Sequence, residues 1–181
     1  LHPQKLYKLP SKIWYNFIAP VFIRKTLVVP RSKAAYNFIK RYHKKTTTEC
    51  IEHGVNIEKF AVSAEKKDFF IVISQLIERK NISSIITKFA ALIKDKQYKD
   101  FKLYVIGQGP LEEQLKRQSI ISDTQNNIIF TGFLPHVQMS EYTAHAKALL
   151  INTYQDNNMV SIPETLSCGT PVISNTVPTN S

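Results

Sequence analysis

The chain has 181 residues, 43% of them hydrophobic, so it is long enough to bury a real core and its composition excludes a disordered protein. It has two cysteines, Cys50 and Cys168, with no C-x-x-C pair or His-Cys cluster, so the sequence suggests neither a disulfide framework nor a zinc site and favours a reducing cytosol. The net charge is +10, and because residues 1–48 contain no Asp or Glu, the positive excess comes from that block. Such a block favours an anionic partner.

The basic N-terminal block contains an apolar stripe at helical spacing. Its members are Ile13, Trp14, Phe17, Ile18, Val21 and Phe22. A stripe of this kind can lie in a membrane interface, or it can pack on protein, including a domain outside this chain, and Pro20 interrupts it. A short strand at 26–29 and a basic helix at 32–43 are predicted next. The block lacks a nucleic-acid-binding motif, so we expect no nucleic-acid partner.

From Phe69 onward, apolar runs typical of buried parallel strands alternate with helical patterns. The predicted strands are 69–74, 101–106, 128–130, 148–151 and 172–174. The predicted helices between them are 82–93, 111–118, 136–145 and 163–168. Alternation of this kind predicts an α/β fold with a doubly wound parallel sheet, in which ligands lie beyond the carboxyl ends of the strands.

Candidate ligand-binding groups follow four of these strands. They are residues 75–80, residues 107–109, residues 132–134 and Asp156. Lys80 can meet phosphate oxygens as a point charge, and glycines let a ligand approach the backbone. Each group alone also fits a solvated residue or an ordinary turn, so their common position after strands is what favours a site.

Asp156 and Glu164 stand eight positions apart, just before a small-residue apolar run. Ser161 and Glu164 form the S-x-x-E pattern of a capping box, which marks a helix start, and we predict a helix from Pro163 to about Cys168. Free first-turn N–H groups could hold a diphosphate there. The same residues also fit a plainer interpretation, in which Glu164 only caps the helix and Asp156 is a solvated loop residue.

Other reaction classes lack their motifs. Glu112 stands where a dinucleotide-binding fingerprint needs Gly or Ala, so an oxidoreductase is not expected. The sequence has no P-loop pattern and no serine-hydrolase elbow. His136 and His145 have no Cys or carboxylate at ligand spacing, so no metal site is predicted.

From about Thr48 to Ser181 the motifs resemble, in order, those of the nucleotide-sugar-binding domain of GT-B glycosyltransferases, particularly glycosyltransferase family 4. The segment E-H-G-V-N-I-E-K-F is similar to that family's N-G-V-D-x-x-x-F segment. V-I-S-Q-L-I-E-R-K-N is similar to its G-R-L-x-x-x-K-G loop, V-I-G-Q-G-P-L-E to its G-x-G-P strand end, and I-F-T-G-F-L to its F-x-G segment. Asp156 and Glu164 fall on its E-x7-E motif, and L-S-C-G-T-P-V-I-S on its A-x-A-C-G-x-P-V-I signature.

The resemblance implies roles for the matched residues. Asp156 and Glu164 would be the catalytic pair, with Glu164 on the ribose hydroxyls and Asp156 on the donor sugar. Lys80 would neutralise the diphosphate as it leaves. The other implied donor contacts are Gln75 and Gly107 near the phosphates, Phe133 and Leu134 around the base, and Asn158, Met159 and Val160 near the sugar and diphosphate.

Three residues depart from the family's pattern. Gln75 replaces a phosphate-binding Arg, so one charge is lost, and Arg79 is a candidate substitute that the sequence alone does not place. Asp156 is one methylene shorter than the usual Glu. Asn158 and Met159 replace a Phe-Gly pair, which makes the identity of the sugar less predictable.

The resemblance also implies a domain organisation and an activity. Residues 1–47 would be the remnant of an N-terminal acceptor domain, and residues 48–181 a nucleotide-sugar-binding domain truncated at its C-terminus. The implied enzyme is a retaining hexosyltransferase that uses a nucleotide-diphosphate sugar, a UDP-sugar rather than a GDP-sugar, and needs no other cofactor. Its acceptor would be a glycan or a lipid-linked glycan in surface polysaccharide or glycoconjugate synthesis.

This fragment alone would be inactive, and we expect a cytoplasmic protein that associates with the cytoplasmic membrane face through residues 1–48. Two alternatives remain open. One is a non-catalytic nucleotide- or carbohydrate-binding module, marked by the lost Arg at position 75. The other is a basic peripheral-membrane interaction domain with no small ligand.

Overall fold

The computed structural model describes residues 13–23, 26–52, 54–154, 156 and 159–175, and for residues 15 and 16 the backbone only. The chain divides into two compact units, with the division between Gly54 and Val55. This division lies later in the chain than the boundary after residue 47 that the sequence led us to expect. Each unit contains its own parallel sheet.

The first unit is a small arrangement of short elements. A helical segment at Trp14–Ile18 leads directly into a second helix, and the Ala19 N–H donates to the Trp14 carbonyl across the junction. Pro20 follows at the second position of this helix, where it removes one N–H donor. Its elements are α1 (Ala19–Ile23), β1 (Leu27–Val28), α2 (Lys33–Tyr42) and β2 (Thr47–Thr48). α2 begins where predicted, because the Ser32 Oγ accepts a hydrogen bond from the Ala35 N–H at 3.2 Å.

The second unit is a five-stranded parallel sheet. Its strands are β3 (Phe69–Ile73), β4 (Lys102–Ile106), β5 (Ile128–Gly132), β6 (Ala148–Ile151) and β7 (Val172–Ser174). Its helices are α3 (Ile82–Leu92), α4 (Glu112–Ile121), α5 (His136–His145) and α6 (Ser161–Ser167). The strand order is β5-β4-β3-β6-β7 and every pair is parallel, which confirms the predicted doubly wound fold.

Two apolar clusters hold β3 from its two sides. Val72 packs with Ile86 and Phe89 of α3, whereas Ile71 packs with Leu149 on the opposite face of the sheet. All five are at most 2% exposed, and burying a side chain of this size contributes about 1.5–3 kcal/mol. Burial on both faces explains why this strand is apolar throughout instead of alternating.

The predicted capping box at α6 is wrong. Ser161 is already the first helical residue, and Val160 is the N-cap, with no hydrogen bond from its side chain. The helix begins earlier because Val160 itself has right-handed helical angles and its carbonyl accepts the Glu164 N–H at 3.3 Å. Pro163 is compatible with this start, since the first-turn N–H groups of a helix have no intrahelical partner.

Candidate active site at the carboxyl ends of β3 and β6

The strand order reverses between β3 and β6, since the chain runs outward from β3 to β4 and β5 and then returns to the other side of β3. In open parallel sheets the loops that leave two such strands separate and form a crevice. The loop at 74–81 leaves β3, and the loop at 152–160 leaves β6. These two loops contain Lys80 and Asp156, which the sequence singled out.

Backbone hydrogen bonds hold the two loops together. The carbonyl of Arg79 accepts the Thr153 hydroxyl and the Tyr154 N–H, each at 2.9 Å. The Thr153 carbonyl in turn accepts the Asn175 side-chain amide at 2.9 Å. The short helical turn Glu78–Lys80 is therefore fixed against the end of β6, and its two cations are held at the crevice.

The side chains of Lys80 and Asp156 meet across the crevice. The Lys80 ammonium donates a hydrogen bond to Asp156 Oδ2, and Arg79 Nη1 lies 3.9 Å from the same oxygen. The side chains of Lys80 and Asp156 are 18% and 10% exposed, and that of Arg79 is 44% exposed. Two cations thus converge on one carboxylate oxygen.

The start of α6 lies beside this ion pair. Met159 and Ser161 line a small cavity of about 20 Å³ with Lys80 and the ends of β3 and β6. That volume holds about one water molecule. Glu164 lies in the first turn of α6 and is half-buried. The structure therefore brings Lys80, Asp156 and Met159 together, whereas Asn158 lies outside the described residues.

Gly107 is required by the packing of the loop after β3. Its φ is 136°, and a Cβ at this position would overlap the carbonyl oxygen of Ser74. The Gly107 N–H donates to the Gly132 carbonyl at 2.8 Å, and the Leu76 N–H donates to the Gln108 carbonyl at 3.0 Å. The missing side chain thus serves a contact between loops, and a role beside the phosphates stays a prediction.

The remaining predicted donor contacts lie on neighbouring loops. Gln75 is exposed, and its carbonyl accepts the Ile77 N–H at 3.0 Å and the Ser74 hydroxyl at 2.9 Å. Phe133 is 72% exposed, whereas Leu134 packs against the apolar cluster beneath β3. The Phe133 side chain is therefore open to a ligand, and the Leu134 side chain serves the core.

Sequence reasoning left Arg79 unplaced and did not consider Thr153 or Asn175. Arg79 stands next to Lys80, so adjacency was a signal that it could share the site. The Thr153 contact depends on β6 lying beside β3, and the Asn175 contact depends on β7 lying beside β6. No local pattern encodes this strand order.

Buried polar contacts fix the far end of α6. The Lys66 ammonium donates to the Ala144 carbonyl and to Thr170 Oγ1, each at 2.7 Å, and burial lowers the pKa of this lysine. Cys168 is fully buried, and burial raises the pKa of its thiol, with Ser140 Oγ 3.9 Å from its sulfur. The segment before β3 is therefore bound to α5 and to the turn after α6.

The described residues contain no group of three or more His, Cys, Asp or Glu side chains placed to hold a metal ion. None of the helices formed by the same residues has the length and apolar character needed to cross a membrane.

Comparison with known proteins identifies similar sequences and structures. The model of the family "Glycosyl transferases group 1" matches residues 56–181. Alpha-monoglucosyldiacylglycerol synthase of Streptococcus pneumoniae is 24% identical over 163 residues, which is 81% of this chain and 36% of that protein. The amylovoran biosynthesis glycosyltransferase AmsK of Erwinia amylovora is 26% identical over 149 residues, 73% of this chain and 36% of that protein.

A solved structure shows the same fold. TarM of S. aureus, crystallised with Fondaparinux, alpha-GlcNAc-glycerol and UDP, has a TM-score of 0.75 and 16% identity, and the match covers 94% of this chain and 33% of TarM. The parallel five-stranded sheet with its flanking helices matches that of GT-B glycosyltransferases. The chain spans about a third of the length of the relatives named here. It belongs to the glycosyl transferases group 1 family.

Proposed function

We propose that the chain is the nucleotide-sugar-binding part of a family 4-type glycosyltransferase, which transfers a hexose from a UDP-sugar with retention of configuration. The observation that carries this proposal is the placement of Lys80 at the crevice between β3 and β6, with Asp156 on its ammonium. A cation at this position meets the diphosphate of a bound donor, because ligands of doubly wound sheets lie in this crevice. TarM, which shares the fold, was solved with UDP.

The chemistry of the proposed transfer is the departure of a nucleoside diphosphate. Negative charge develops on the leaving phosphate oxygen as the bond to the sugar breaks, and a fixed cation beside it lowers the barrier. Lys80 suits this role because its turn is held by two hydrogen bonds to the Arg79 carbonyl. Donor binding exchanges the Asp156 carboxylate on Lys80 for phosphate and releases Asp156 toward the sugar hydroxyls.

Glu164 is the proposed contact to the ribose. Its carboxylate can accept two hydrogen bonds, which matches a vicinal pair of hydroxyl groups. Its position in the first turn of α6, after Met159 and Val160, places it on the same loop-to-helix connection as Asp156. The backbone of 158–160 would then lie along the sugar and diphosphate.

For the acceptor we propose a lipid-linked or polymeric glycan, held by a domain that this chain contains only in part. Two relatives are named for such products, a glucosylated diacylglycerol and amylovoran. The first unit adds an observation of its own, since Trp14, Phe17, Val21 and Phe22 are 51–72% exposed on one helical stripe. With the basic residues of 1–48, this stripe supports association with the cytoplasmic face of an anionic membrane.

Calorimetric titration with UDP, UDP-sugars and GDP-sugars tests the donor site. We expect binding of UDP and of a UDP-sugar, with affinity lowered about tenfold or more by Lys80→Ala and by Glu164→Ala. Lys94→Ala removes an exposed lysine beyond the end of α3 and serves as the matched control. Failure of every nucleotide to bind the wild-type protein would reject the proposal, and binding insensitive to both site variants would reject the residue assignment.

A non-catalytic nucleotide-binding module is the second candidate, and the neutral Gln75 in the loop after β3 favours it. Both candidates bind UDP, so affinity does not separate them. The two candidates are separated by an assay of sugar transfer from a radiolabelled UDP-sugar, measured on the protein joined to its acceptor domain. Turnover abolished by Lys80→Ala supports the enzyme, whereas tight donor binding with no transfer to lipid-linked or glycan acceptors supports the module.

A further inference from the structure

We propose that Arg79 is a second diphosphate-binding residue, which supplies the positive charge that Gln75 does not. This inference rests on the proposed function, since it concerns the same donor site. It extends that function by placing Arg79, which the sequence offered only as a candidate substitute, at the diphosphate.

The geometry that points to Arg79 is its approach to Asp156. The guanidinium Nη1 lies 3.9 Å from Asp156 Oδ2, the same oxygen that accepts the Lys80 hydrogen bond. Asp156 is the anion that lies between these two cations. A phosphate oxygen that replaces this carboxylate oxygen therefore meets both Lys80 and Arg79.

The loop after β3 offers few other charges. Within residues 74–81 the cations are Arg79 and Lys80, and the one acidic residue, Glu78, is exposed. Gln75 stands at the start of the loop with a neutral side chain. A diphosphate carries more negative charge than one ammonium neutralises, so a second cation within reach contributes directly to its binding.

The backbone of Arg79 is fixed, whereas its side chain is able to adjust. Its carbonyl accepts hydrogen bonds from the Thr153 hydroxyl and the Tyr154 N–H, so the Cα position is held at the end of β6. Its side chain is 44% exposed, which leaves room for the guanidinium to turn toward a ligand. The planar guanidinium presents paired N–H donors that match two phosphate oxygens, which a lysine ammonium does not.

The exposure of Arg79 also limits its contribution. Water screens an exposed charge, so we expect Arg79→Ala to weaken UDP binding less than Lys80→Ala does, by about three- to tenfold. Uridine lacks phosphate, so its affinity should not change. We therefore expect Arg79→Ala to weaken the binding of UDP but not that of uridine, and the loss of UDP affinity to become smaller as the ionic strength rises.

The test is calorimetric titration of UDP and of uridine into the wild-type protein and into Arg79→Ala, Arg79→Lys and Lys80→Ala, at low and at moderate salt. Arg117→Ala, which removes an exposed arginine of α4, is the matched control. We expect Arg79→Ala to lose UDP affinity, Arg79→Lys to regain part of it, and the salt dependence of UDP binding to decrease in Arg79→Ala. Thermal unfolding should be unchanged, because the substitution keeps the backbone carbonyl that receives the two hydrogen bonds.

Two results would overturn the assignment. One is UDP affinity in Arg79→Ala equal to that of the wild type while Lys80→Ala loses it, which leaves the donor site standing without Arg79. The other is an equal loss of UDP and uridine affinity in Arg79→Ala, which indicates a structural effect. If the wild-type protein binds no nucleotide, the proposed function fails first and this inference fails with it.

Discussion

The ammonium of Lys80 donates a hydrogen bond to the carboxylate of Asp156 across the crevice between β3 and β6. The carboxylate therefore lies where a phosphate oxygen of the donor is proposed to bind. This pair is mostly buried, and the two opposite charges partly compensate each other. Under the proposed function, donor binding exchanges the Asp156 carboxylate on Lys80 for phosphate, and the first prediction depends on that exchange.

Asp156→Asn should tighten the binding of UDP. The substitution removes both the competitor for Lys80 and a negative charge beside the diphosphate, so we expect an affinity about two- to tenfold higher, measured by calorimetry. The rate of sugar transfer from a UDP-sugar should fall in the same variant, because the carboxylate proposed to contact the sugar hydroxyls is removed. Asp100→Asn, at an exposed position, is the control, and weaker UDP binding in Asp156→Asn would contradict the exchange.

Gly107→Ala should destabilise the protein by about 1–3 kcal/mol or more. The φ of 136° disfavours any side chain, and the added Cβ overlaps the Ser74 carbonyl oxygen, so the loops after β3 and β4 must move apart. Urea unfolding followed by circular dichroism measures the change. Gly54→Ala is the matched control, since a Cβ added at Gly54 would meet no described atom within 4 Å, and equal stabilities of the two variants would contradict the packing role.

The free energy of unfolding should depend on the ionisation of Lys66. Burial lowers the pKa of this lysine below 10.5, so the folded state binds its proton less tightly than the unfolded state does. At neutral pH both states are protonated and burial of the charge costs stability. As the pH rises through the folded pKa toward 10.5, the folded state releases the proton first, and stability gains.

The comparison that isolates Lys66 is the wild type against Lys66→Met. The wild type should gain stability relative to the variant as the pH increases from neutral toward 10.5, measured from urea midpoints at several pH values. A relative stability that decreases over this range would show that the hydrogen bonds to Ala144 and Thr170 outweigh the burial of the charge.

Cys168 should react with thiol reagents far more slowly than Cys50. The Cys168 side chain is fully buried and burial raises its pKa, so both access and thiolate formation are reduced. Cys50 is half-buried. Stopped-flow labelling of the native protein should resolve two phases that merge in denaturant. A single native phase with both thiols reacting together would contradict the burial of Cys168.

The fold was predictable because its signals are local. The unbroken apolar run of β3 indicates burial on both faces, and β3 does contact α3 on one side and Leu149 on the other. The start of α6 was not predictable. The S-x-x-E pattern at Ser161 and Glu164 favours a later start, whereas Val160 already adopts a helical conformation. A capping pattern indicates only a local preference, and the conformation of the neighbouring residues determines where the helix begins.

The candidate site was predictable in its residues but not in its contacts. Lys80 and Asp156 both follow strands, which places them at one edge of a parallel sheet. Their direct ion pair depends on the strand order that makes β3 and β6 neighbours, and the sequence implies this order only through the fold. The approach of Arg79 to Asp156 depends on the turn at Glu78–Lys80 and its hydrogen bonds to Thr153 and Tyr154, which no pattern of residues encodes.

The claim that a nucleotide diphosphate binds between β3 and β6 is tested most directly by amide chemical shifts of the isotope-labelled protein titrated with UDP. We expect saturable changes in amide chemical shift that are concentrated in residues 74–81, 132–134 and 159–164. These changes should be lost in Lys80→Ala. Shifts confined to the opposite ends of the strands, near 67–69 and 145–147, or no shift at millimolar UDP, would contradict it.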